Sequence, residues 1–235
     1  MQGDSSPKPV PSDYDREPER FRLARAVLRR HASVGDVHEL VARRILVERR
    51  TPVLDVGCGE GELARYLPPG AWVGVDSSRT MLERGPEPAL RADATSLPFA
   101  DATFESVALL YVLYHLDKPT MALTEARRVL RPGGLLAVAV PSRHDSPELA
   151  HALPRAELTF DAELAPAAIG ELFADVEVVR WDAALLRLPS RQAVRDYLVG
   201  KRVEARRAEA VAAGIEVPLP VTKRGALVFA RRGPS

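Results

Sequence analysis

The stretch PVLDVGCGEGELARYL, Pro52 to Leu67, decides the reading of this 235-residue chain. An apolar run ends in Gly57, Gly59 and Gly61, and the pattern after it reads as a helix. Glycines there let the backbone take positive φ and let a ligand touch the main chain at the carboxyl end of a first strand. That is the usual crevice of a doubly wound sheet. The spacing is G-x-G-x-G, whereas a dinucleotide fingerprint needs G-x-G-x-x-G, and Glu60 and Glu62 at the helix start would repel a pyrophosphate. A phosphate-free, cationic ligand fits better.

Outward from this turn, short β-rich runs alternate with helical segments, the signature of βαβ units. Strands are expected near 52–56, 71–75, 88–91, 106–111 and 135–140. The last two are nearly continuous in Val, Leu and Ala, as strands covered on both faces should be. Between them Asp117 can cap a crossover helix, with Pro119 in its first turn, Ala122, Ala126, Val129 and Leu130 as its buried stripe, and Pro132-Gly133-Gly134 as its stop. Residues 141–163, rich in Pro, Ser, His and acidic groups, read as an inserted loop. A helix near 164–173 follows. Strands near 175–187 and 225–231, enclosing a helical segment over 190–215, complete the sheet with an antiparallel end.

Residues 1–13 read as a flexible tail, and 14–50 as a helical lid with stripes at Phe21, Ala24, Leu28 and at Val37, Leu40, Val41, Ile45. Residues 51–235 form the main domain. The hydrophobic share of 46% and charged share of 28% exclude wholesale disorder and coiled-coil rods. The longest apolar runs fall short of the ~18 to 20 residues of a bilayer span. The single Cys58 excludes an intrachain disulfide or a Cys-based metal cluster, no metal is expected, and with no secretory pattern at the start the expected compartment is the cytoplasm. The net charge of +1 argues against a dedicated polyanion binder, although residues 1–50 carry +3, 51–190 carry −8 and 191–235 carry +6.

Asp76 closes the second strand 21 residues after Asp55, and an acidic residue there can accept both ribose hydroxyls. Asp93 closes the third, where it can meet an exocyclic amine of adenine. A lone Asp at a strand end is usually a helix cap, but three at successive strand ends strain that explanation.

With VLDVGCGEG, GVDSS, RADATSLPFADATFESV and RRVLRPGG, the chain resembles the class I S-adenosylmethionine-dependent methyltransferases, in the type 11 or UbiE-like small-molecule branch, over roughly residues 50–140. Phe104-Glu105-Ser106-Val107 departs mildly from that branch's F-D-x-V. The resemblance implies a Rossmann-like α/β fold: a doubly wound, mostly parallel seven-stranded sheet with helices on both faces, an N-terminal helical lid and an insertion after the fifth strand. It implies S-adenosyl-L-methionine as cofactor, with Asp55, Gly57, Cys58 and Gly59 at the methionine part, Asp76 and Ser77 at ribose, and Asp93 and Ala94 at adenine. Leu110 and Tyr14 also fall to the cofactor side. Cys58 reads as a small residue that fits the turn, not as a nucleophile.

Methyl transfer from a sulfonium is an in-line displacement that needs alignment and exclusion of water, with a general base only for some acceptors. Tyr111, Tyr114 and His115 follow the fourth strand; His115 is the candidate base and Tyr111 the candidate acceptor-positioning group. The expected acceptor is a small organic molecule methylated on O, N or C, and the protein a monomer or homodimer. RNA is the alternative acceptor, drawing on RFRLARAVLRR and KRVEARR. Against it stand an aromatic share of only 6% and Leu110-Tyr111-Val112-Leu113 where base-amine enzymes carry N/D-P-P-Y/F. A non-catalytic cofactor-binding module is the third reading.

Overall fold

The structure, a computed structural model, describes residues 13–33, 35–154 and 158–234. Its strands are β1 (Val53–Val56), β2 (Trp72–Asp76), β3 (Ala89–Arg91), β4 (Phe104–Leu110), β5 (Leu130–Pro141), β6 (Ala174–Leu188) and β7 (Leu219–Arg231). They form one sheet of order β3-β2-β1-β4-β5-β7-β6, parallel except for β7, which runs antiparallel to both β5 and β6. The chain leaves β1 toward β2 and β3, then returns to β4 on the other flank of β1. The carboxyl ends of β1 and β4 therefore flank the point where the winding reverses, and ligands of open α/β sheets bind in that crevice.

The helices are α1 (Asp13–Arg16), α2 (Pro18–His31), α3 (Val37–Val47), α4 (Arg79–Leu82), α5 (Pro119–Val129), α6 (Ala165–Gly170), α7 (Arg191–Gly200) and α8 (Ala205–Ala213). Strand alternation sends Val107 and Leu109 of β4, with Leu136, Val138 and Val140 of β5, to one face, where α5 and α6 cover them. Ala108, Leu110, Leu135, Ala137 and Ala139 go to the other, under Val41, Ala42 and Ile45 of α3. A third cluster lies beyond the sheet, joining Val27 of α2, Tyr197 and Leu198 of α7 and Ala208 of α8 to Leu149, Leu188 and Val221. Each fully buried leucine there contributes about 2 kcal/mol through the area it removes from water.

Several local expectations change. The glycine run leads into one 3-10 turn, Leu63–Tyr66, not an α-helix. Gly61, at φ 75°, packs its bare α-carbon against Pro86 and Pro68 follows Leu67, which leaves room for a single turn. Helix α5 is capped at Lys118 with no side-chain bond, so Asp117 is not its cap. It ends at Val129 before Pro132 is reached, because Leu130 already pairs with Phe104 as sheet. Leu40 is 48% exposed and Ala42 takes its place against the sheet. Strand β7 begins at Leu219, ahead of the expected 225, because β6 and β7 continue past the sheet as a two-stranded ribbon supporting the third cluster. The expected tail over 1–13 falls, apart from Asp13, outside the described residues. No described helix is long and apolar enough to cross a membrane.

Candidate functional site

The glycine turn leaves β1 with Gly57, Gly59 and Gly61 at φ of 71°, 55° and 75°, the left-handed region where a side chain is costly. A β-carbon on Gly57 would also overlap both methyl groups of Val112. At Gly59 its nearest neighbour would be Phe21 Cζ at 4.0 Å, so that stretch of main chain faces open space.

Asp76, at the end of β2, ties the turn to the second strand. One carboxylate oxygen accepts from Gly59 N and the other from Ser78 N, both at 2.8 Å. Burial pushes its pKa up, opposed by these amides. Asp55 lies within β1, 3% exposed, accepting from Trp72 Nε1 at 3.1 Å. Burial pushes its carboxyl up to about 6 against that bond. Cys58 is buried; burial raises its thiol pKa strongly, and Asp55 and Asp76 add to the rise, which disfavours a thiolate there. Ser77 is exposed and its carbonyl accepts from Arg91 Nε at 3.0 Å. Asp93 stands two residues beyond β3, exposed, accepting from Thr95 N and Oγ1 at 2.8 Å, with Ala94 half-buried beside it.

Over this acidic floor lies a basic cover that the sequence reading missed. Arg22 Nε donates to Glu60 at 2.8 Å, Arg25 Nη2 lies 3.0 Å from Glu62 Oε2, and Arg29 lies 3.7 Å from the other Glu62 oxygen. The signal was there: arginines at 22, 25 and 29 share one helical face, opposite a Glu-x-Glu pair. These pairs neutralise the two glutamates, so repulsion of a pyrophosphate no longer excludes a dinucleotide; the glycine spacing still does. Farther along, Asp15 of α1 accepts from Ser78 Oγ at 2.6 Å and Thr80 N at 3.2 Å. Tyr14 belongs to α1, and its side chain lies outside the described residues.

At the β4 end, Leu110 is buried, and Tyr111 takes φ 62°, a strained backbone for an aromatic residue. Burial raises the Tyr111 hydroxyl pKa, with further contributions from Asp36 and Asp145. Asp36 caps α3 through His38 N and also bonds His38 Nδ1. Burial opposes its charge, but the His38 bonds prevail and hold its carboxyl at about 2. This bond holds the imidazole where its charge acts on Asp55 of the first strand, a placement that no local motif announces. Behind Tyr111, Asp145 pairs with Lys223, whose Nζ donates to Tyr197 Oη at 2.9 Å, and that hydroxyl lies 2.7 Å from Ser146 Oγ. His115 is exposed on the turn Leu113–His115, its ring 4.1 Å from that of Tyr114. The structure thus joins Asp55, Gly57 to Gly59 and Asp76 with Ser77 in one place and sets Leu110 and Tyr111 at the neighbouring strand end, while Asp93 and His115 stand at the rim. Among the described residues no His, Cys, Asp or Glu cluster is suited to a metal.

Residues 54–138 match the family model of the methyltransferase domain called Methyltransf_11. An uncharacterized methyltransferase of Schizosaccharomyces pombe is 37% identical over 37% of this chain and 39% of its own length. A demethylmenaquinone methyltransferase of Staphylococcus aureus is 32% identical over 47% of this chain and 53% of its own. The chain thus spans about four-tenths to half the length of these relatives. Among solved structures, a SAM-dependent methyltransferase of Thermotoga maritima, described as a possible histamine N-methyltransferase, superposes with a TM-score of 0.61 at 19% identity, covering 93% of this chain and 98% of that one. Over residues 54–138, and with the sheet order and glycine turn already described, the chain is similar to the class I methyltransferases of type 11.

Proposed function

We propose that the protein transfers a methyl group from S-adenosylmethionine to a small organic acceptor, by in-line displacement in the crevice between the ends of β1 and β4. The observation that carries this reading is the Asp76 carboxylate. Both its oxygens are aimed by backbone amides, one of them from the glycine turn, in a half-buried site. A carboxylate so fixed keeps lone pairs for a ribose diol, and with Asp55 behind it makes a floor suited to a cationic ligand. The open face of Gly59 is a cradle for such a ligand.

Bound there, S-adenosylmethionine supplies an electrophilic methyl on a sulfonium. The chain's own work is to hold and align. In this reading Asp76 and Ser77 grip the ribose, Asp93 and Ala94 the adenine, and Gly57, Cys58 and Gly59 the methionine part, with Leu110 as apolar wall and Tyr14 over the top. Asp55 ionises more readily once a cation is near. Tyr111 positions the acceptor, and His115 accepts its proton where the acceptor is a hydroxyl. A quinone-type or other small aromatic acceptor accords with what the Staphylococcus aureus relative is named for. The basic helix α2 lends an RNA acceptor little support, since Arg22, Arg25 and Arg29 direct their charge to Glu60 and Glu62.

Labelled methyl supplied to a source-cell extract, then fractionated into small molecules, RNA and protein, tests the reading. Label in the small-molecule fraction, absent with Asp76→Ala, is the expected result. Label in RNA would replace the acceptor class, and cofactor binding without label in any fraction would favour a non-catalytic module. His115→Asn should lower turnover more than cofactor affinity; equal losses would make it a structural partner.

A further inference from the structure

Resting on that reading, we propose that Arg25 of α2 is the cation that receives the cofactor's amino-acid carboxylate. Asp76 ends β2 and Asp93 follows β3, so a nucleoside held by them lies toward that flank, and the rest of the ligand runs the opposite way, toward β1 and β4. Near the glycine turn that route passes the carboxylate of Asp55 within β1, then Glu60 and Glu62, whose charges Arg22, Arg25 and Arg29 offset. Asp55 suits a sulfonium and an ammonium but would repel the ligand's one carboxylate, which therefore needs a fixed cation.

Arg25 is placed for it. Its guanidinium sits over the glycine turn, Nη2 3.0 Å from Glu62 Oε2 and Cζ 5.7 Å from the centre of the Phe21 ring, the ring that faces Gly59. Its charge also reaches Tyr111, which ends the β4 side of the crevice. The side chain is 19% exposed, yet its buried Nε has no hydrogen-bond partner among the described residues. A buried guanidinium donor left unpaired is costly, and a planar carboxylate is the partner its fork fits best. Burial works against the charge on Arg25, and Glu62 and Asp36 sustain it. Arg22 also carries an unpartnered buried nitrogen, but its Nε is taken by Glu60 and its Nη1 by Glu19.

Titration calorimetry with two probes decides the matter. S-adenosylmethionine carries the carboxylate, and decarboxylated S-adenosylmethionine lacks only that group. Arg25→Gln is expected to weaken the first by about 10- to 100-fold and leave the second within about threefold, the loss of one charge-assisted bond. Arg25→Lys, which keeps the charge, should recover part of the loss. Equal losses for both probes would overturn the proposal by making Arg25 a structural clasp for Glu62, and unchanged affinity for S-adenosylmethionine would overturn it outright. Failure of the wild-type protein to bind either probe would instead remove the cofactor reading on which it rests.

Discussion

The floor of the crevice and its cover are built by different rules. The floor is the carboxyl ends of β1, β2 and β4, where a handful of residues within a short span of chain fix backbone and charge together: Gly59 is joined to Asp76 by an amide-to-carboxylate bond, and Gly57 N donates to the Val75 carbonyl. The cover is α1, α2 and the start of α3, held to the floor by side chains far away in sequence, Arg22 to Glu60, Arg25 to Glu62 and Asp15 to Ser78. One is acidic and set by main-chain geometry, the other basic and set by ion pairs and the third apolar cluster. A motif announces the first kind of construction because its parts are local, whereas the second is visible only once the fold has joined them.

If the floor is the rigid member, the same substitution should cost more there. Gly57→Ala combines φ 71° with overlap on Val112 and should destabilise by about 3 kcal/mol or more, lowering the melting temperature by about 6–12 °C. Gly200→Ala, in the cover's support, sets a β-carbon 2.8 Å from Ala24 Cβ and 2.9 Å from its Cα but without a left-handed backbone, and about 1–2 kcal/mol is expected. Thermal melts giving the reverse order would break the comparison.

The floor's acidity gives a second test. Burial raises Asp55 from 3.8 to about 6, so the folded protein binds this proton more tightly than the unfolded chain does. Without ligand, stability is then lost as pH rises from about 4 to about 6. A cationic ligand prefers the ionised form, so its affinity should rise with pH through the same window and be about tenfold weaker at pH 5 than at pH 7. Calorimetry at both values checks this, and Asp55→Asn should flatten both dependences.

The smallest effect expected is chemical. Cys58 should resist iodoacetamide at pH 8 in the folded protein and react once denatured, since burial and the neighbouring carboxylates suppress its thiolate. Alkylation at the rate of a free thiol would mean that the turn opens to solvent.

Legibility followed the same division. All seven strands exist near their expected places, and the central β4 and β5 were plainest, because strands buried on both faces are apolar throughout, as in Val107 to Leu110 and Leu135 to Val140; β7, which begins six residues early, was harder to bound. Ends were harder. Asp117 and Pro132 to Gly134 carry good cap and stop chemistry, yet pairing of Leu130 with Phe104 set the limit of α5, and tertiary contact outranked local preference. Asp55 and Asp76 come together as read, through strand register: Asp55 pairs with Gly74 and the two neighbouring strands end side by side. Arg25, by contrast, entered only as part of the basic stretch RFRLARAVLRR that supports an RNA acceptor, since its partner Glu62 is 37 positions away and the fold alone brings them together.

Titration of S-adenosylmethionine into the wild-type protein and Asp76→Ala is the most direct test of the claim that this floor holds the cofactor. Saturable binding at one site, weakened by about 2–3 kcal/mol in the variant through loss of charge-assisted bonds to two hydroxyls, is the expected result. Equal affinity in the two proteins would contradict it and move the site away from the glycine turn.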